Sequence, residues 1–184
     1  MAIQDATKLV FESALRKLLL TTSFNKITVQ SLVKHSNSTR PTFYYHFKDK
    51  YDLVSWIYQR QSSEIIKKFP AITWFDVIVN LFRTMEQDYL FYSKVLVDDD
   101  QNSLVNYMVD YDVEVYRTML LTVGGFQKID EQLTFDIQFH AFACVHMTQL
   151  WILKKERETP EQLAHKLITA MPSHLYEVLP NRGI

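Results

Sequence analysis

Apolar residues return every three or four positions along most of this chain, and that period predicts helices. Val10, Phe11, Ala14, Leu15 and Leu18 share a face of a segment running from about Gln4 to Thr21, with Lys8, Glu12, Arg16 and Lys17 between them. Thr21-Thr22-Ser23 breaks it. A short second helix opens at Thr28, whose hydroxyl can take an orphan amide of the first turn, and Ile27 with Leu32 forms a hydrophobic staple across that start. Val29, Leu32 and Val33 face inward, and the helix ends near His35-Ser36-Asn37, where asparagine tolerates the positive φ of a tight turn. The third helix begins at once. Thr39 is its N-cap, Arg40 and Pro41 fill the first turn, where proline's missing N–H costs nothing, and Phe43 and Phe47 mark the buried side. Two short helices joined by three or four residues make a helix-turn-helix pattern.

A fourth helix is expected from about Asp49 to Lys67, with Leu53, Trp56, Ile57 and Tyr58 as apolar positions and Pro70 closing it. Further segments follow at about Trp74–Asp88, near Tyr92–Val97 and at about Ser103–Leu121, before Gly124-Gly125 interrupts the chain. A long helix opens at Asp130 or Thr134 and runs through Arg157; Pro160 begins a last one ending near Met171, with a short tail past Pro172. The fold class is therefore all-α.

Composition narrows the class. Of 184 residues, 47% are hydrophobic and 22% charged, which is globular rather than disordered, and three glycines with five prolines are too few for a turn-rich all-β chain. There is no run of about 18 apolar residues to span a membrane, and the charges interrupting the first segment break a signal peptide's layout. The lone Cys144 cannot make an internal disulfide, which fits a reducing cytosol, so a cytoplasmic location without membrane partners is expected.

Net charge over the whole chain is −1, but it is segregated. Residues 1–60 carry nine Lys/Arg against four Asp/Glu, while the remainder carries 11 against 17. A basic end beside an acidic body suits contact with a polyanion through that end alone. The third helix supplies a matching surface. Opposite Phe43 and Phe47 lie Pro41 and Tyr45, with Thr42 beside them, Tyr44 and His46 on the flanks, and Arg40 in the first turn. Aromatic and hydroxyl groups there can contact thymine methyls, base edges and phosphates. Thr28, Gln30, Thr39, Lys48 and Lys50 border the same surface, as backbone contacts on either side of a groove.

The run TVQSLVKHSNSTRPTFYYHFKDKYDL, Thr28–Leu53, resembles the DNA-binding signature of the TetR family of bacterial transcription regulators. Thr42–Phe47, Lys50 and Leu53 carry the resemblance, which covers roughly residues 5–60. It departs from the pattern at Asn37, where the family has a turn glycine, and at Ser38, where a hydrophobic residue is usual. The stretch Tyr51–Tyr58 is also similar to the branch containing activators of dihydroxyacetone-kinase operons. The resemblance implies that Arg40, Pro41, Thr42, Tyr44, Tyr45 and His46 face duplex DNA, with Thr28, Gln30 and Lys50 near phosphates. It implies an N-terminal helix-turn-helix domain over residues 1–60, and a C-terminal helical domain over residues 61–184 that dimerises and receives a signal.

In that second domain, Phe135, Phe139, Phe142, His146, Leu150 and Leu153 run down one side of the long helix, while Ile137, Ala141, Cys144, Thr148 and Trp151 line another. A helix apolar on two sides is expected to meet its own core on one and a second copy of the chain on the other. The resemblance implies a four-helix interface built with the last helix, Glu161–Met171. His140, Cys144 and His146 suggest a metal cluster, but His146 points elsewhere and no acidic residue completes the set, so no metal is expected. Asp98-Asp99-Asp100 lacks the alternating ligands and central glycine of a calcium loop and reads as a solvated turn. Trp74, Phe75, Phe82, Tyr89, Phe91, Tyr92 and Tyr107 could line a pocket or simply fill a core. The absence of nucleophile motifs, phosphate loops and dinucleotide fingerprints argues against an enzyme, and no cofactor is expected. Two readings of the signal stand: a small-molecule effector, which needs an enclosed cavity, or a protein co-regulator, which needs a filled core and an exposed apolar patch.

Overall fold

The computed structural model describes residues 3–98 and 100–183, without the side chains of residues 3–5; Asp99, in the expected acidic turn, lies outside the described residues. Among the described residues ten α-helices follow in order: α1 Ile3–Leu19, α2 Val29–His35, α3 Arg40–His46, α4 Lys50–Ile66, α5 Trp74–Gln87, α6 Tyr89–Val95, α7 Leu104–Thr122, α8 Glu131–Leu153, α9 Pro160–Thr169 and α10 Ser173–Val178. A 3-10 turn, Phe24–Lys26, sits between α1 and α2. Side-chain caps explain the sharp starts. Thr28, Thr73 and Thr159 each accept an amide three residues on and donate their own amide to that residue's side chain in return, while Thr39, Asp49 and Asp130 cap α3, α4 and α8.

Three element boundaries differ from the sequence expectation. α6 begins at Tyr89, three residues earlier than Tyr92, directly after α5. α8 stops at Leu153 rather than Arg157: Lys154 turns into extended backbone and the Arg157 guanidinium folds back onto the carbonyls of Lys154 and Ile152 at 3.3 and 3.5 Å. The tail past Pro172 is helical, with Leu175 buried, and then crosses to the start of α5, where the carbonyls of Asn181 and Arg182 accept the amides of Trp74 and Phe75. One core assignment also fails, because Val10 is 46% exposed.

The N-terminal helices close over an aromatic cluster. Phe11 meets Phe43 and Phe47 edge-on at 5.1 and 6.3 Å, with Leu15, Leu32, Leu53 and Ile57 fully buried around them. α4 then runs unbroken across residue 60 and packs on α1, α5 and α7. In the body α7 lies along α8 and α5 along α9. The two parts are tied by ions as well as by apolar contact. Arg16 on α1 grips Asp88 with two 2.7 Å bonds, and Glu12 accepts from Arg16 at 3.0 Å and from Arg60 at 2.5 Å. Burial works against the Arg16 charge, yet Asp88 and Glu12 outweigh it and raise its pKa.

α8 buries Ile137, Ala141, Val145 and Trp151, but leaves Phe135, Phe139, Phe142 and Leu150 between 55% and 61% exposed along its other side. Inside, a largely enclosed cavity of about 60 Å³ lies between α4, α5, α7 and α8. No described helix is long and apolar enough to cross a membrane.

Candidate nucleic-acid interface

The surface presented by α3 follows from what pins the helix down. Phe43 and Phe47 are buried on the inner side, so the remaining positions must point out. Tyr45 is 72% exposed and Tyr44 55%, Arg40 and Pro41 are exposed, and Thr42 and His46 are partly covered. The Tyr45 ring meets His46 edge-on at 4.9 Å, and Tyr44 leans on Phe43 at 5.6 Å. The start of the helix is fixed by Thr39, whose hydroxyl accepts the Thr42 amide at 3.2 Å and shares a 2.7 Å bond with the Thr42 hydroxyl. Asn37 carries φ of +50°, the backbone state its glycine-like position demands. Ser38 is half-buried, and its amide donates to the carbonyl of Val33, closing the turn without a larger apolar side chain.

On one side of α3, Thr28 and Gln30 are exposed at the start of α2, with the Thr28 hydroxyl committed to the Ser31 amide. On the other, Lys48 is exposed and its amide donates to Asp52 at 2.8 Å. Lys50 behaves differently. Its Nζ donates to the carbonyls of Phe24 and Asn25 at 2.9 and 3.2 Å and lies 4.5 Å from the Phe24 ring centre. The ammonium thus closes the 3-10 turn against α4, and burial lowers its pKa against the pull of Asp98, Asp100 and Asp49.

This changes the meaning of the N-terminal charge. Of its nine cations, Arg16 and Arg60 are bound to Glu12 and Asp88, and Lys50 to backbone carbonyls. Lys8 lies 5.4 Å from the Trp56 ring centre, while Lys17, Lys26, Lys34, Arg40 and Lys48 stand exposed. The internal cations are the part that sequence reasoning missed, because all their partners but one, Glu12 beside Arg16, are 25 to 72 residues away. Neighbouring Tyr51 is pushed up to about 12 by burial and by Asp98 and Asp100.

The other candidate chemistry resolves into packing. His140 Nε2 and Cys144 Sγ are 3.3 Å apart on the inner side of α8, while the ring of His146 stacks on exposed Phe142 at 4.1 Å. Among the described residues no group of three His, Cys, Asp or Glu side chains could hold a metal. Burial takes His140 down to about 4 and raises the Cys144 thiol, so both are neutral. Trp74, Phe82 and Tyr92 line the cavity, whereas Phe75, Tyr89, Phe91 and Tyr107 do not.

Comparison with known proteins bears on what this geometry serves. Residues 13–56 match the profile of bacterial regulatory proteins of the tetR family, and residues 72–173 match a transcriptional regulator C-terminal region of the same family. The chain belongs to the TetR family. As a TetR-family transcriptional regulator it is a DNA-binding protein and not an enzyme. It is similar to the HTH-type dhaKLM operon transcriptional activator DhaS of Lactococcus lactis, 26% identical over 94 residues. That match spans half the length of each chain. Two solved TetR-type structures share the fold. The dihydroxyacetone kinase operon activator DhaS superimposes with a TM-score of 0.64 at 18% identity, covering 92% of this chain and 96% of its own. A regulator from Streptococcus agalactiae gives 0.65 at 23% identity, covering 91% and 94%.

Proposed function

We propose that this TetR-family regulator acts in the cytoplasm as a homodimer that reads a palindromic operator with α3, and that its body, residues 61–184, controls that binding. The single observation that carries the reading is the outward face of α3. Tyr45, Tyr44, Pro41 and Arg40 stand in solvent on a helix held rigid by Phe43 and Phe47, with Thr39 and Lys48 at its two ends. Large aromatic side chains kept exposed on so short a helix fit a role in contact with base edges, with Arg40, Lys48, Thr28 and Gln30 toward phosphates. Lys50 holds this reading element in place and is a positioning residue.

The exposed side of α8 supports the dimer. Its phenylalanines form a continuous apolar stripe, larger than monomers usually leave in water. The ion network of Glu12, Arg16, Arg60 and Asp88 supports control from the body, because it fastens α1 and α4 to the start of α6. A tilt of α4 would then move both recognition helices of a dimer, which must stand about 34–36 Å apart to enter successive major grooves. The enclosed cavity favours a small-molecule effector over a protein co-regulator as the signal.

The test is a binding titration of wild type and Tyr45→Ala on a duplex recovered by selection and on a scrambled duplex. Tyr45→Ala should cost about 1–3 kcal/mol on the selected duplex and little on the scrambled one. An unchanged preference would remove α3 from the groove.

A further inference from the structure

The cavity of the body contains one chemical anomaly. Asp112, on α7, is half-buried and lines the cavity together with Tyr58, Trp74, Tyr116 and Thr148. Among the described residues no cation pairs with it. The one hydrogen bond its carboxyl receives comes from the Tyr58 hydroxyl at 3.4 Å, well beyond the usual O–H···O range of about 2.5–3.0 Å. A carboxylate can accept about four hydrogen bonds, so this one is left poorly satisfied in an apolar interior. The other polar groups around the cavity are already engaged. Trp74 Nε1 donates to the Tyr116 hydroxyl, Thr148 donates to the Cys144 carbonyl, and Gln61 is held between Tyr92 and Asp88.

We propose that this cavity is a binding site for a small organic cation, a primary ammonium of about two or three heavy atoms, held by the Asp112 carboxylate and the surrounding aromatic rings. Size, charge and wall chemistry agree. A cavity of about 60 Å³ is several times what one water needs, and less than half of the roughly 150 Å³ that admits benzene. An ammonium gives the unsatisfied carboxylate a charged donor, and its alkyl part covers Met85, Met108 and Leu167. Tyr58, Trp74 and Tyr116 offer ring faces and edges of the kind that attract cations. The groups facing Asp112 supply no competing positive charge: Tyr58 and Ser62 on α4, Tyr111 and Tyr116 on α7, and Cys144 and His140 on α8, the last neutral near pH 7. Burial pushes Asp112 itself up to about 7, so an arriving cation should displace a proton from it at neutral pH. Binding of the cation is a property of the body alone. Its effect on DNA, passed from Gln61 to Asp88 and Arg16, rests on the regulatory reading above.

Isothermal titration calorimetry of the intact protein, without DNA, with ethylammonium and with ethanol of equal heavy-atom count tests the site directly. The expected result is saturable binding of one ethylammonium per chain, at least about tenfold tighter than ethanol. Repeating the titration near pH 7 in buffers of different ionisation enthalpy should reveal release of about half a proton per ammonium bound. This second reading needs no variant. Asp112→Asn, checked for wild-type helicity, should lose the preference for ammonium and the proton release together. No saturable ammonium binding, ethanol binding as tight as ammonium, or binding without proton release would overturn the proposal. Operator binding measured separately would stand or fall independently.

Discussion

Replacing Phe139 by alanine is the sharpest probe of the dimer, because the structure separates its interface role from any role in the core. Phe139 is 57% exposed in the single chain and stacks on Phe135 at 6.2 Å along the outer side of α8. A phenylalanine offers roughly 200 Å² in total, so roughly 100 Å² of this one is open for a partner to cover. At about 25 cal/mol per Å² that is about 2.5 kcal/mol per chain. A two-fold interface counts the change twice, giving about 5 kcal/mol for the dimer, and the alanine recovers part of it. The dimer dissociation constant should therefore rise roughly a thousandfold. The folded monomer should change by less than about 0.5 kcal/mol, since the removed atoms touch little of its own core. Sedimentation velocity over a wide concentration range, with thermal unfolding as the control, gives both numbers. If Phe139→Ala dissociated no more readily than wild type while remaining fully helical, the outer side of α8 would not be the interface.

The lysines on either side of Asp49 should separate cleanly. Lys48→Ala is expected to lower the salt slope of DNA binding by about one, while Lys50→Ala leaves the slope unchanged and destabilises the fold by about 1–3 kcal/mol through its two lost carbonyl bonds; anisotropy across salt and denaturant melts measure these. Asp112 should make stability depend on pH. Its folded pKa of about 7 exceeds its unfolded value, so its contribution is most favourable below about pH 4 and is lost as pH rises through 7, by on the order of 4 kcal/mol. His140, depressed to about 4, works in the opposite sense, losing stability as pH falls from about 6.5. Because Asp112→Asn retains His140, the stability gap between variant and wild type isolates Asp112 and should widen from about pH 4 to pH 7 in denaturant melts; a constant gap would contradict it.

The starts of α2 and α3 were legible because their determinants are local. A threonine at 28 or 39 needs only the residues three positions on to act as a cap, and those are visible in the sequence. The end of α8 was not, because Arg157 turns back across five residues to Ile152 to finish it, and nothing in a helical period announces that. The recognition side of α3 could be read from Phe43 and Phe47 alone. The duty of Lys50 could not, since its carbonyl partners lie on a turn 25 residues earlier. Asp112 is the most instructive case. Asp110 and Asp112 look alike in the run VDYDVEVY, yet Asp110 is exposed and Asp112 is half-buried at the cavity, and only the packing of α4 and α8 on α7 separates them. The same packing decides which aromatics line the cavity.

The central claim is sequence-specific reading of DNA by a two-fold pair of α3 helices. Selection of bound duplexes from a random-sequence library by the purified protein tests it most directly. The bound pool should be enriched in an inverted repeat whose half-sites lie one helical turn or a multiple apart, and should lose that enrichment with Tyr45→Ala. A pool that stays random, or converges on a site without two-fold symmetry, would contradict it.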